Sequence, residues 1–369
     1  MKRAAAAAIS LMTGLAMLTG CSRAEVEETI QPLVADAIEE SDSEAEAVKE
    51  EDESPLIPGI DTDIKIHAGS RIAVVSKCVK GEYWKMVKKG MEDAVKEINK
   101  AYGYKKDDQI TMTFEGPDNE EDVETQINTI DAVIAENPDV LCISASDMDS
   151  CEAQLEAAKE NGIPVIAFDS NVAEKKLVKA YRGTDNVQVG KMAAYQLGSA
   201  LGKMGKVAVF SAQQKTKSVQ DRVEGFMNNI GKYGDIEVVE TIYSDQVDDM
   251  EASMKEVLEK YPTLDGVFCT NADITEMYLN LEKSDEHDAP ALVGVDATTK
   301  QQEAIRNGEE IGCVSQQPYA MGYQTIWAAV ETTAPKKSVV IEKNVLSNPA
   351  WIDADCLDDP DYSGYLYTE

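Results

Sequence analysis

From residue 70 onward, short apolar runs rich in β-branched residues alternate with longer segments whose apolar residues recur at a helical period. The pattern predicts strands at 72–75, 110–114, 140–143, 165–168 and 177–181, then at 207–210, 236–242, 266–269, 292–295 and 312–314. Helices are predicted between them, at 82–100, 122–136, 149–161, 187–201, 219–232, 249–260 and 320–332. Such alternation is typical of βαβ units. We therefore expect an α/β fold with two doubly wound parallel sheets.

Polar residues stand where many of the predicted strands end. They are Ser76, Ser144, Asp169, Ser211, Asn271, Asp296 and Ser315. In open α/β sheets, ligands bind beyond the carboxyl ends of the strands, so these side chains are candidate ligand contacts. Ser, Asp and Asn also cap helices, which is the alternative interpretation of any one of them. The set as a whole favours a ligand site between two domains.

The junction after the first strand, SKCVKGEYWKMVKKG, places two large aromatic residues side by side. Trp84 shares an apolar helical stripe with Val87 and Met91, which is typical of a core residue. Tyr83 lies about 100° further round the helix and has no such partner, so it is the better candidate for stacking on a ligand. A core role for Trp84 stays open.

The amino-terminal region predicts export and tethering. A basic start (Met1-Lys-Arg) precedes an apolar stretch at 4–19 that is short for a spanning helix, which is typical of a signal peptide. The stretch ends in Leu-Thr-Gly-Cys at 18–21 and resembles a lipoprotein lipobox, with Cys21 as the lipid anchor. Residues 22–66 carry fifteen acidic and three basic side chains and no aromatics. We expect an acidic, disordered tether at 22–69.

Charge and motif content exclude several functions. The formal charge is −33 for the whole chain, most of it on the folded part, and such a surface repels nucleic acid. No GxSxG, GxxxxGK[ST] or HExxH motif occurs, and the chain has two histidines, so we expect no enzyme, no cofactor and no metal site. Cys142, Cys269 and Cys313 lie in apolar runs and are expected to be buried. A disulfide among the cysteines at 78, 151 and 356 stays open.

Several segments, taken in order, resemble the type I solute-binding proteins of bacterial importers, closest to the ribose-binding branch. They are RIAVVSKCVKGEYWKMVKKGMEDA, PDVLCISASD, NGIPVIAFDS, GTDNVQVGKMAA, RVEGF, YPTLDGVFCTNAD, LVGVDAT and VSQQPYAMGY. The resemblance implies two α/β lobes, at 70–184 plus 317–345 and at 185–316 plus 346–369. It also implies three crossovers, near Thr184, Gln317 and Val345, that act as a hinge.

The resemblance also implies a set of sugar contacts. Tyr83 and Trp84 match the paired aromatics that flank the sugar ring, and Asp169 matches the acid that accepts sugar hydroxyls. Arg222 matches the arginine from the second lobe. The remaining matches are Ser76, Asn271, Asp296 and Gln316. These residue types suit hydroxyl groups, since carboxylates accept, guanidinium donates and amides do both.

The sequence departs from the ribose-binding pattern at two positions. Ser144 stands where the pattern has Asn, and Ser170 stands where it has Arg, so the ligand contacts there are expected to differ. Asp245 or Gln246 is expected to supply a further contact, and the sequence does not choose between them. An aldose, an inositol or an autoinducer-type carbohydrate is compatible with these residues.

Together these features predict a monomeric substrate-binding lipoprotein outside the cytoplasm. It would capture a small neutral carbohydrate by hinge closure and deliver it to an ABC transporter permease, with no role for nucleic acid. A ligand-sensing subunit for a membrane histidine kinase or chemoreceptor is the open alternative. A LacI-type regulator would need a helix-turn-helix ahead of the first lobe, where the export signal and tether stand.

Overall fold

The computed structural model describes residues 57, 59–281, 289–335 and 339–368. The predicted signal peptide, Cys21 and most of the predicted tether lie outside these residues. No helix within the described ranges is long and apolar enough to cross a bilayer.

The first lobe is built on one six-stranded parallel sheet. Its strands are β1 (Arg71–Val75), β2 (Thr111–Glu115), β3 (Val140–Ile143), β4 (Val165–Phe168), β5 (Ala180–Thr184) and β11 (Asn344–Ser347). They lie in the order β11-β5-β4-β3-β1-β2, and the paired neighbours run parallel. The helices of this lobe are α1 (Gly81–Ala101), α2 (Val123–Ala135), α3 (Glu152–Glu160) and α9 (Pro318–Thr332).

The second lobe repeats this plan. Its strands are β6 (Met204–Ser211), β7 (Asp235–Tyr243), β8 (Gly266–Cys269), β9 (Ala291–Val295), β10 (Gly312–Ser315) and β12 (Ala350–Ile352). Their order is β12-β10-β9-β8-β6-β7, with β12 antiparallel to β10 and the other pairs parallel. The helices are α4 (Asn186–Ala200), α5 (Lys217–Ile230), α6 (Met250–Lys260), α7 (Ala272–Leu279) and α8 (Thr299–Asn307).

Helix pairs cross at glycines in both lobes. A Cβ on Gly90 of α1 would collide with the Tyr319 carbonyl of α9, and one on Gly322 of α9 would collide with the Val87 carbonyl of α1. In the second lobe, Gly190 of α4 abuts the Arg222 carbonyl of α5. Glycine allows this close approach of two backbones. The contact at Gly190 fixes the turn of helix that carries Arg222.

The α/β fold with two parallel-dominated sheets is confirmed. Most predicted strands appear within one or two residues of their expected bounds, but the fifth does not. It was expected at 177–181, whereas β5 spans Ala180–Thr184 and Leu177 lies in a 3₁₀ turn. At the start of the folded part, Ile60 and Ile64, in the predicted tether, pack against the first-lobe core.

None of the described cysteines is in a disulfide. Cys142, Cys269 and Cys313 are fully buried within β3, β8 and β10, as expected for small apolar core residues. Cys78 and Cys151 are also buried and Cys356 is half-buried, and none of the three is in a disulfide.

Candidate functional site

A cavity of about 660 Å³ lies between the carboxyl ends of the two sheets. Both lobes line it. Of the ten predicted ligand contacts, seven line the cavity: Tyr83, Trp84, Asp169, Arg222, Asn271, Asp296 and Gln316. The structure thus brings together residues that are up to 233 positions apart in the sequence (83 to 316).

Asp169 is the acid of the first lobe. It follows β4 and adopts φ +54°, a left-handed conformation that is uncommon outside glycine. Its carboxylate accepts from the Tyr83 hydroxyl at 2.6 Å and the Ser144 hydroxyl at 2.8 Å, and the Lys77 ammonium lies 3.1 Å away. Burial alone would raise the pKa of Asp169, but Lys77, Tyr83 and Arg222 bring it below its usual value. Asp169 is therefore held as a carboxylate.

Lys77 is a cavity residue that the sequence did not reveal. It is 4% exposed, and its ammonium lies 3.1 Å from Asp169 and 3.5 Å from Glu120. The same nitrogen lies 5.7 Å from the centre of the Trp84 ring, within cation–π range. Burial would lower the pKa of Lys77, and the two carboxylates raise it above its ordinary value. A buried positive charge therefore stands permanently beside Asp169.

Tyr83 and Trp84 both belong to the core of the first lobe and both reach the cavity. Their rings contact each other edge-on, with centroids 5.1 Å apart and planes at 88°. The Trp84 indole nitrogen donates to Glu120 at 2.7 Å. Tyr83 and Trp84 are therefore both core residues and part of the cavity wall, because the start of α1 lies at the edge of the core.

Arg222 extends from α5 of the second lobe. It is 3% exposed, and it donates from Nε to Asn186 Oδ1 and from Nη1 to the Thr270 carbonyl, both at 2.8 Å. Its charge contributes to the lowered pKa of Asp169 in the other lobe. Arg222 is therefore fixed by its own lobe while it acts electrostatically across the cavity.

Asp296 is the acid of the second lobe. It follows β9 and, like Asp169, is left-handed, with φ +79°. Its carboxylate accepts from Gln316 Nε2 at 2.7 Å, the Tyr367 hydroxyl at 2.9 Å and the Ala272 backbone nitrogen at 3.0 Å. Asn271 lines the cavity and also caps α7 by accepting from the Ile274 nitrogen. For Asn271, capping and site lining are compatible.

Three predicted contacts do not line the cavity. The Ser76 hydroxyl donates to the Cys78 carbonyl at 2.7 Å and is fully buried. Ser144 reaches the cavity only through Asp169, while Ser170 pairs its hydroxyl with that of Ser218 of the second lobe at 2.6 Å. The side chain of serine is short, so each of these hydroxyls bonds to the nearest polar group and does not extend into the cavity.

Neither of the two alternatives at 245 and 246 reaches the cavity. Asp245 accepts from the Gln214 backbone nitrogen at 2.9 Å, and Gln246 donates to the Gln214 side chain at 2.7 Å. Their neighbours Ser244, Val247 and Asp248 line the cavity instead.

The lobes contact each other directly around the cavity. Gln213 Nε2 and Thr216 Oγ1 of the second lobe both donate to the Ser146 carbonyl of the first, at 3.0 and 2.6 Å. The Met148 nitrogen donates to the Lys215 carbonyl at 3.1 Å. Such contacts require the lobes to be together, so the structure is a closed form.

The cavity wall is predominantly acidic. Among the described residues that line it, the cations are Lys77, Lys80 and Arg222, and the acids are Glu82, Asp118, Glu120, Glu121, Asp169, Asp248, Asp273, Glu276 and Asp296. Desolvation by the surrounding cavity wall, together with Glu120, Glu276 and Asp296, raises the pKa of Asp273 to about 7, although the residue itself is exposed to solvent. The local potential therefore disfavours anions.

Two α/β lobes that meet over a polar cavity are the architecture of a binding protein that holds its ligand between two domains. The sequence profile of the periplasmic binding protein domain matches residues 72–337, and the chain belongs to that family. This confirms the predicted resemblance and the expectation of a binding protein in place of an enzyme. The family is also consistent with an extracytoplasmic location.

Individual relatives agree. The ribose import binding protein RbsB of Bacillus subtilis is 26% identical over 220 residues, which cover 60% of this chain and 71% of that protein. A xylitol-binding protein of Mycolicibacterium smegmatis is 25% identical over 211 residues, or 57% of this chain and 60% of that protein. A solute-binding protein of Agrobacterium vitis, solved with D-fucose, superposes with a TM-score of 0.72 at 26% identity, covering 81% of this chain and 100% of that one.

Proposed function

We propose that the protein is an extracytoplasmic, lipid-anchored substrate-binding protein that captures a small neutral carbohydrate and delivers it to an ABC transporter permease. The observation that carries the proposal is the convergence of Asp169 and Asp296, one from each lobe, on one closed cavity. Carboxylates inside a closed cavity can accept hydrogen bonds from the hydroxyl groups of a ligand, and a hydroxyl group donates such a bond without bringing a charge into the cavity. A lipid anchor at Cys21 would hold the protein at the membrane.

The hydrogen bonds already present restrict where a ligand can bind. A carboxylate oxygen offers about two lone-pair positions. Within the described residues, Asp169 Oδ2 accepts from Ser144 and lies by Lys77, while Oδ1 accepts from Tyr83. Asp296 Oδ1 accepts from Gln316 and Tyr367, while Oδ2 accepts from the Ala272 nitrogen. Asp169 Oδ1 and Asp296 Oδ2 are therefore the expected acceptors for ligand hydroxyls.

Size and charge support the same class of ligand. A cavity of about 660 Å³ lies in the range usual for small-molecule sites. The acidic wall disfavours sugar phosphates and sugar acids. The ligands named for relatives and structural neighbours, which include ribose, xylitol, D-allose, D-arabinose, D-tagatose and D-fucose, are neutral polyhydroxyl compounds.

The proposal is tested by thermal-shift screening, followed by calorimetry, of a soluble protein that lacks the predicted signal peptide but keeps the acidic segment, because Ile60 and Ile64 pack against the first-lobe core. The panel is these six compounds with further aldoses and inositols. We expect at least one to raise Tm in a concentration-dependent way, because a ligand that binds the folded state stabilises it by mass action. Matched sugar acids and sugar phosphates serve as controls. Binding of the anionic controls with no response to any neutral compound would contradict the proposal.

A further inference from the structure

The segment at 353–368 packs on the second lobe beyond the region that matches the family. The family match ends at residue 337, whereas Leu357 and Leu366 pack in a small core with Ala297 and Cys313. The Ser315 hydroxyl also donates to the Tyr365 carbonyl at 2.5 Å. This packing places the segment against the carboxyl ends of β9 and β10, where the candidate site is formed.

Tyr367 is the residue that this segment brings to the site. It is 1% exposed. Its backbone nitrogen donates to the Ala297 carbonyl at 3.0 Å, and its carbonyl accepts from Gln302 Nε2 at 2.8 Å. Because Ala297 directly follows Asp296, these bonds fix the tyrosine relative to the acid of the second lobe.

Tyr367 contacts a site residue of each lobe. Its hydroxyl donates to Asp296 Oδ1 at 2.9 Å, and its ring centroid lies 5.8 Å from that of Tyr83 in the first lobe. Tyr83 in turn donates to Asp169 Oδ1 at 2.6 Å. The two tyrosines therefore link the two carboxylates across the closed lobes. Burial and the neighbouring Asp296 raise the pKa of Tyr367, so its hydroxyl stays protonated and donates.

We propose that Tyr367 is a positioning residue that determines which oxygen of Asp296 receives a ligand hydroxyl. Tyr367 is not among the residues that line the cavity, so it acts through Asp296 and Tyr83. With Gln316 it fills the two acceptor positions of Oδ1, which leaves Oδ2 open to the ligand. The inference rests on the proposed function and adds a determinant of specificity outside the family match.

The test compares Tyr367→Phe with Tyr365→Phe. Both remove one hydroxyl from the same segment, but the Tyr365 hydroxyl donates to the Asn348 carbonyl, away from the acids. Calorimetry measures the affinity of each variant for the best sugar of the panel and for its monodeoxy analogues. The sugar hydroxyl that donates to Asp296 is identified with the Asp296→Asn variant. It is the hydroxyl whose absence from a monodeoxy analogue reduces the affinity of that variant least.

We expect Tyr367→Phe to bind the parent sugar about tenfold more weakly, the usual scale for a lost hydrogen bond to a charged group. In Tyr367→Phe, the loss of affinity between the parent sugar and the analogue that lacks the Asp296-bound hydroxyl should be several-fold smaller than in the wild type. The losses of affinity for the other monodeoxy analogues should stay unchanged. Tyr365→Phe should stay within about twofold of the wild type throughout. A purely structural role would weaken all analogues equally and leave their ratios as they were.

Equal weakening of all analogues, or unchanged affinity, would overturn the inference while leaving the proposed function intact. Failure of the wild type to bind any panel compound would overturn both. Tm and circular dichroism establish that the variants fold. A double-mutant cycle of Tyr367→Phe with Asp296→Asn gives a second measure, and additive losses would show that the two residues do not act together.

Discussion

The two lobes use the same backbone device and differ in charge. Asp169 and Asp296 each follow the fourth strand of their lobe, and both are left-handed. Asp169 lies beside the buried ammonium of Lys77, whereas Asp296 accepts from an amide side chain, a hydroxyl and a backbone nitrogen, which are all neutral. The backbone geometry therefore follows from the shared fold, while the electrostatics follow from individual neighbours.

Because of this difference, the two halves of the site respond differently to pH. In the first lobe, an ion pair holds the acid in its charged form. In the second lobe, Asp296 is close enough to Asp273 to contribute to the raised pKa of that residue. The second lobe is therefore the half whose charge responds to pH near neutrality.

Replacement of Lys77 should have the largest effect. Lys77→Met leaves the Asp169 carboxylate buried without its nearest cation, and loss of one partner of a buried ion pair typically costs about 3–5 kcal/mol. We expect the free energy of unfolding, measured by urea denaturation at neutral pH, to fall by about 3 kcal/mol. Asp296→Asn, which breaks no ion pair, should change it by about 1 kcal/mol.

The double variant Lys77→Met/Asp169→Asn is the matched control, because it removes both charges. It should recover most of the lost stability, since the uncompensated charge is the source of the cost. Equal destabilisation by Lys77→Met and Asp296→Asn would show that the two acids are held equivalently, and the comparison of the lobes would then be wrong.

Arg222→Ala should have the next largest effect, on ligand binding. The change leaves Asn186 Oδ1 and the Thr270 carbonyl without their donor and removes the cation that faces Asp169 across the cavity. We expect the affinity for the best panel sugar to fall by roughly 2 kcal/mol in calorimetry. Lys191→Ala, which removes an exposed cation from α4 of the same lobe, is the control for net charge. Equal affinities of these two variants would contradict a role for Arg222 in the site.

Asp273 should produce the smallest effect, a change in the pH dependence of stability, because its side chain is exposed and solvent screens its interactions. Its pKa is about 7 in the folded protein, against about 3.9 for a free aspartate. A carboxyl group with a raised pKa favours folding at low pH and loses that contribution as the pH rises to its folded pKa. The stability of the wild type should therefore fall between about pH 4 and about pH 7 relative to Asp273→Asn. Urea denaturation over that range checks this, with Asp248→Asn as control; parallel profiles would contradict it.

The fold could be predicted because its determinants are local. Runs such as Val140–Ile143 and Val165–Phe168 are buried on both faces and read as continuous apolar strands. The fifth strand was misplaced because Leu177 is apolar but belongs to a 3₁₀ turn, whereas Arg182 is polar but lies inside β5. At this strand, the hydrophobic pattern and the backbone hydrogen bonds indicate different bounds, and the backbone hydrogen bonds determine where the strand lies.

The site could be predicted only in part. Residues at strand ends, such as Asp169 and Asp296, were found because the position itself is informative. Lys77 was missed because a lysine next to a strand end ordinarily reaches solvent, and its partners at 120 and 169 are distant in the sequence. Tyr367 was missed because it reaches the site through the packing of a separate acidic segment, for which the sequence gives no periodic signal.

The glycine crossing at Gly190 has a consequence for how selectivity is inherited. Gly190 of α4 lies directly against the main-chain carbonyl of Arg222 in α5, so a methyl group added at Gly190 would collide with that carbonyl and displace the helix that carries the arginine. Two proteins could then share every side chain of the pocket and still prefer different solutes. A glycine outside the pocket, such as Gly190, can thus contribute to ligand selectivity.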